Sequence, residues 1–121
     1  MLQLGTQGEY MAATFQLDRA SILERLGGDE EIYGMMVDMY LADYGNNCAA
    51  LAAAFAAGDA PTVYREAHTI KGLLATFSDE AGAAAALVVE RQAKGGDLNG
   101  LAAAVADLQA RMREVASVLG G

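Results

Sequence analysis

The chain has 121 residues, of which 54% are hydrophobic and 20% charged, enough apolar material for one packed domain and too much for a disordered chain. Sixteen acidic residues against eight basic ones give a formal charge of −8. That balance excludes a nucleic-acid footprint and a site for anionic membrane surfaces, since both need clustered Lys and Arg.

One proline, no tryptophan and alanine runs at 49–57, 81–86 and 102–106 favour helix, and no alternating stretch suggests a sheet. The fold class expected is therefore all-α. Residues 1–16 read as a leader ahead of a domain spanning 17–121. The opening MLQLGTQGEY has neither a basic stretch nor a sustained apolar run, so no signal peptide is expected. A short amphipathic helix begins near Asp18, buries Ile22, Leu23 and Leu26, and stops at Gly27-Gly28. Asp29 caps a long second helix carrying Ile32, Met35, Met36, Met39 and Tyr40, then Leu51 and Phe55, up to Gly58. Gly45-Asn46-Asn47 interrupts its pattern, but a single helix is expected.

Asp59 with Pro61 just inside marks the start of a third helix, running to about Phe77. Ser78 is the expected cap of a fourth, which passes through Leu87, Val88 and Arg91 to Gly95-Gly96. The fifth runs from about Asn99 through Leu101, Val105, Leu108, Met112, Val115 and Leu119 to Gly120. Short loops force neighbouring helices antiparallel. The expected architecture is an up-down antiparallel four-helix bundle with a short additional N-terminal helix. Cys48 is the chain's one cysteine, so it has no intramolecular disulfide partner and no CxxC zinc pattern. With no apolar stretch long enough to span a bilayer, a cytoplasmic domain is expected.

The third helix carries the one feature that points to chemistry. With about 100° per residue, Val63, Ala67, Ile70, Leu74 and Phe77 share a sector centred roughly 140° from His68. The chain's only histidine thus faces away from the core. Tyr64, Arg65, Lys71, Gly72 and Ala75 surround it at neighbouring helical positions. A single exposed histidine is ordinarily just a surface residue. One histidine without Cys or a patterned carboxylate set completes no metal site, and the chain has no glycine-rich phosphate loop for ATP. Gly72 shifts the balance, because glycine inside a helix costs on the order of 1 kcal/mol relative to alanine. It clears space one turn from His68, and Ala75 extends the clearing. Lys71 adds a cation within reach of an anion on the ring.

Ala67-His68-Thr69-Ile70-Lys71-Gly72 resembles the AHxxKG signature of histidine-containing phosphotransfer (HPt) domains. The resemblance extends from about Leu17 to Leu119. Leu23-Glu24-Arg25-Leu26-Gly27-Gly28-Asp29 is similar to the family's opening turn, Gly58-Asp59 to its approach to the histidine helix, and Glu90 stands where the family often carries a glutamate. Three positions depart from the pattern. Leu73 and Leu74 replace the small residues that usually follow Lys-Gly, and Ser78 replaces a glycine. Leu74 falls in the core sector, whereas Leu73 lies at its edge and is expected to protrude.

The resemblance implies a phosphorelay carrier and not an autokinase. His68 would be the phosphoacceptor, Lys71 its electrostatic support, and Tyr64, Arg65, Gly72, Leu73 and Ala75 the docking surface. It implies a response-regulator receiver domain or a hybrid histidine kinase as partner, with Mg²⁺ held by the receiver and no cofactor or metal bound here. A monomer is expected. Two rival readings stay open at this point: a docking module that carries no phosphate, and a scaffold bundle that oligomerises through alanine-rich faces.

Overall fold

The computed structural model describes residues 14–120, and it is helical throughout: α1 Arg19–Arg25, α2 Glu30–Ala56, α3 Ala60–Thr76, α4 Glu80–Lys94 and α5 Ala102–Gly120. No strand occurs among the described residues. Helices α2 to α5 form the bundle and α1 packs against α2. Residues 1–13 of the expected leader lie outside the described residues. At its other end Phe15 is 4% exposed, and its backbone N–H donates to Glu114 Oε2 at 2.8 Å, so the packed chain reaches two residues beyond the expected boundary at Leu17.

The helix starts follow one pattern. Asp18, Asp29, Asp59 and Asp79 each accept a hydrogen bond from a backbone N–H of the first turn. The ends follow another. After α2, the Gly58 N–H donates to Phe55 O and the Asp59 N–H to Ala54 O, with Gly58 at φ 70°. This two-bond stop needs a left-handed residue, which glycine takes without steric cost. The same bonds close α3, where Ser78 donates to Ala75 O and Asp79 to Leu74 O.

Ser78 stands there at φ 62°, the one non-glycine residue at positive φ among the described residues. It is therefore the left-handed stop of α3 and not the cap of α4, a correction to the sequence reading; Asp79 is the cap. The glycine it replaces is the residue that this conformation favours. Arg25 steadies the exception, its Nη2 donating to Ser78 Oγ at 2.9 Å and to Thr76 O at 3.2 Å. A second correction concerns α5, which starts at Ala102 and not near Asn99. Gly100 holds φ 77°, which no helix contains, and the first bond joins the Val105 N–H to Leu101 O.

Gly45-Asn46-Asn47 leaves α2 unbroken. The core stripe of α3 is fully buried: Val63, Ala67, Ile70, Leu74 and Phe77 are at most 1% exposed. Tyr40 crosses the core from α2, its ring edge-on to Phe77 at 5.6 Å and its hydroxyl donating to Met112 O at 2.8 Å. A charged pair with both partners buried ties the bundle together. Arg111 of α5 donates from Nε and Nη2 to the two carboxylate oxygens of Asp79 at 2.8 and 2.7 Å, tying the α3–α4 turn to α5. The bidentate bond to Asp79 outweighs burial and holds the Arg111 guanidinium above its usual range.

Candidate functional site

Burying the Val63–Phe77 stripe turns the opposite face of α3 outward. There His68 is 62% exposed at its side chain, the outward placement that the helical projection requires. Gly72 and Ala75 are exposed beside it, and a Cβ added at Gly72 would meet no atom within 4 Å. The clearing next to the imidazole is thus real space and not a helix crossing. Tyr64 is half-buried, its ring centroid 6.3 Å from that of His68, with the Lys94 ammonium 6.0 Å above it. Arg65 is exposed and donates to Thr62 Oγ1 at 3.1 Å. Leu73 does not protrude as expected; it is half-buried and packs on the core at the α2 boundary.

The decisive neighbour comes from α4. Glu90 is buried, its side chain 11% exposed, and its carboxylate is shared between two partners. Oε2 lies 3.0 Å from His68 Nδ1 and Oε1 lies 2.8 Å from Lys71 Nζ. Burial pushes the Glu90 carboxyl up, but hydrogen bonds from Lys71 and His68, together with their charges, outweigh it and hold it below the usual glutamate range. At neutral pH it is therefore an ionised, acceptor-only group. The proton between it and the imidazole belongs to Nδ1, and the lone pair of a neutral ring belongs to Nε2.

Glu90 is missing from the residues singled out as the site, although its place in the chain is noted. A further signal was available: it falls on the buried stripe of α4 with Ala86, Val89 and Ala93. A carboxylate in a core register needs a partner. Lys71 also differs from its reading as a cation standing ready for an anion, because its ammonium is already engaged by Glu90.

The lowered pKa makes Glu90 a stabilising group whose contribution is complete above the ordinary glutamate range and is lost as pH falls through the folded value. The variant Glu90→Gln is expected to melt below wild type at pH 7. The gap is expected to narrow at a pH well below the ordinary glutamate range, as the carboxyl takes up its proton and both side chains become neutral. Thermal denaturation at the two pH values checks this.

Residues 35–118 match the family model for the Hpt domain. The match covers more than half of the chain, and the chain belongs to that family: histidine phosphotransfer domains of two-component phosphorelays, carriers and not enzymes in the ordinary sense, which work with receiver domains and histidine kinases. The fold is similar to the crystal structure of histidine-containing phosphotransfer protein B (HptB) from Pseudomonas aeruginosa PAO1. The superposition has a TM-score of 0.77 at 22% identity and covers 89% of this chain and 94% of that one. At that identity the likeness concerns the fold. No curated protein sequence matches the chain. No helix among the described residues is long and apolar enough to cross a membrane.

Proposed function

We propose that His68 is the phosphoacceptor and that Nε2 is the atom that takes the phosphoryl group. The observation that carries this is the Glu90–His68 hydrogen bond, which commits Nδ1 and leaves Nε2 as the other ring nitrogen of an exposed side chain. A receiver domain bearing phosphoaspartate docks over the clearing at Gly72 and Ala75. The Nε2 lone pair attacks phosphorus in line, and the P–O bond to aspartate breaks with its electrons returning to the carboxylate. The imidazole keeps its Nδ1 proton and becomes cationic as the N–P bond forms. Glu90 stands against that developing charge, the role an acidic partner plays behind a catalytic histidine. Lys71, held by Glu90 one turn from His68, supplies positive charge to the phosphoryl oxygens, modest in water and stronger once the partner excludes solvent.

Phosphoryl transfer asks for position and charge neutralisation more than covalent chemistry, so one nucleophile with two charged neighbours suffices on this side. Mg²⁺ belongs to the receiver. The domain itself binds no ATP, metal or cofactor and has no autokinase activity. Tyr64, Arg65, Gly72, Leu73 and Ala75 make the near docking surface of a monomeric domain.

The test is His68→Gln. Exposure of the side chain means that the variant folds with unchanged helical content. Incubation with a phosphorylated receiver is expected to leave acid-labile phosphate on the wild type and none on the variant. Retained labelling of the variant overturns the assignment.

A further inference from the structure

A hollow of about 360 Å³ lies between α2 and α5, lined by Tyr44, Gly45, Cys48 and Ala49 on one side and by Gln109 and Arg113 on the other. No residue of α3 or α4 lines it, so it stands apart from His68. Its base is pinned across the two helices. Gln109 Nε2 donates to Cys48 O at 3.3 Å, and the thiol of Cys48, a residue 6% exposed, is directed to Gln109 O at 3.9 Å. The Tyr44 ring is fixed as well, stacked within 6° of parallel on the buried Tyr40 with centroids 5.8 Å apart. The walls are therefore in place before anything enters. Gly45 makes the room. Glycine is among the least favourable residues inside a helix, and packing does not call for it here, since a Cβ at Gly45 would meet no atom within 4 Å. Ala49, one turn further, widens the same opening.

The polar groups of the lining are unspent donors. Sixteen residues of the chain are acidic, yet none of the six around the hollow is. Arg113 is exposed and makes no hydrogen bond or ion pair among the described residues, whereas Arg19, Arg25, Arg65 and Arg111 each bond an oxygen. Burial pushes the Cys48 thiol up and the charge of Arg113 opposes that shift, which sets the guanidinium near the base of the hollow. The Tyr44 hydroxyl is likewise without a hydrogen-bond partner among the described residues.

We propose that the α2–α5 hollow binds a small organic acid, its carboxylate on Arg113 and its apolar body against Tyr44, Gly45 and Ala49. A guanidinium and a carboxylate meet through two parallel hydrogen bonds, and the Tyr44 hydroxyl supplies a further donor. A monoanion suits the site better than a phosphate dianion. One guanidinium neutralises one charge, and a chain of formal charge −8 repels a second. The ring of Tyr44 and the small side chains beside it favour a flat, apolar body. This site is independent of the phosphotransfer reading, because nothing that lines it touches the His68 face.

The experiment titrates the isotopically labelled full chain with 2-naphthoate and follows its amide resonances by NMR. Saturable shifts are expected at positions 44–49 and 109–113, with half-saturation at about 1 mM or below, the range open to a ligand of this size. The neutral 2-naphthamide, alike in shape, is expected to bind at least about tenfold more weakly, because it cannot accept a charge-assisted pair of bonds. Arg113→Gln, at an exposed position, is expected to weaken 2-naphthoate by about the same factor and to leave the amide unaffected. Gly45→Leu places a side chain in the hollow and is expected to abolish binding, with a melting temperature at or above wild type. Phosphoramidate, which labels His68 without a protein partner, is expected to label the wild type and both variants alike. The absence of saturable shifts up to about 10 mM 2-naphthoate, well above the expected range, overturns the proposal. So do equal binding of the acid and its amide, undiminished binding to either variant, and shifts centred on another part of the bundle. Loss of phosphoramidate labelling in Arg113→Gln overturns the independence of the site from His68.

Discussion

Replacing Asp79 with alanine is expected to lower the unfolding free energy by about 3 kcal/mol or more, a large share of the roughly 5–15 kcal/mol typical of a domain. Three effects combine. Arg111 is 4% exposed and loses a bidentate partner, so a guanidinium is left inside the bundle. Glu114 stays near Arg111 Nη1 at 3.3 Å and offsets part of the loss. The Gly82 N–H, 3.0 Å from Asp79 Oδ1, loses its cap, which adds about 1 kcal/mol. Urea denaturation measures the sum. Adding Arg111→Met to Asp79→Ala removes the charge that has lost its bidentate partner and is expected to recover most of the loss, short of the share that belongs to the cap. A double variant no more stable than the single one contradicts this account.

The second large effect separates activity from stability. Gly72→Gln is expected to reduce transfer from a phosphorylated receiver on the order of a hundredfold, because a long side chain one turn from His68 holds the reacting atoms apart. The fold is expected to gain from the same change. A Cβ at Gly72 meets open space, and glycine in a helix is less favourable than glutamine by roughly 0.5 kcal/mol. Melting temperature at or above wild type, with transfer collapsed and phosphoramidate labelling of His68 retained, is the expected pattern. Full transfer by Gly72→Gln removes the clearing from the mechanism.

Much of the fold was legible because this chain marks its helix boundaries strongly. Asp59 and Pro61 open α3, and the Val63–Phe77 stripe sets its rotation, which is why the helical projection turns His68 outward. The Ser78-Asp79 pair was harder. Both residues cap helices well, and the choice depends on which of them lies in the left-handed stop of the preceding helix, a backbone property rather than a side-chain preference. The same kind of property at Gly100 moved the start of α5.

The role of Glu90 was the least legible. Its helix is rich in alanine, whose small hydrophobic contrast leaves the buried face poorly marked, so a carboxylate in that register did not stand out. What Glu90 does is visible only when α4 lies against α3. Then one carboxylate reaches both the imidazole and the ammonium. Lys71 was read as a charge for the phosphoryl group, and its resting partner could not be deduced from α3 alone.

The turn at Ser78-Asp79 also governs how the reactive corner comes into being. His68 and Glu90 are 22 positions apart and their helices are joined by a short connection, residues 77–79. Closing so small a loop loses little chain entropy, and contacts this local form early in folding. Arg111 reaches Asp79 from 32 positions further along, from the last of the five helices in chain order. The imidazole and its carboxylate can therefore meet in a nascent helical hairpin, and the closing helix acts as a late clasp on a corner already drawn.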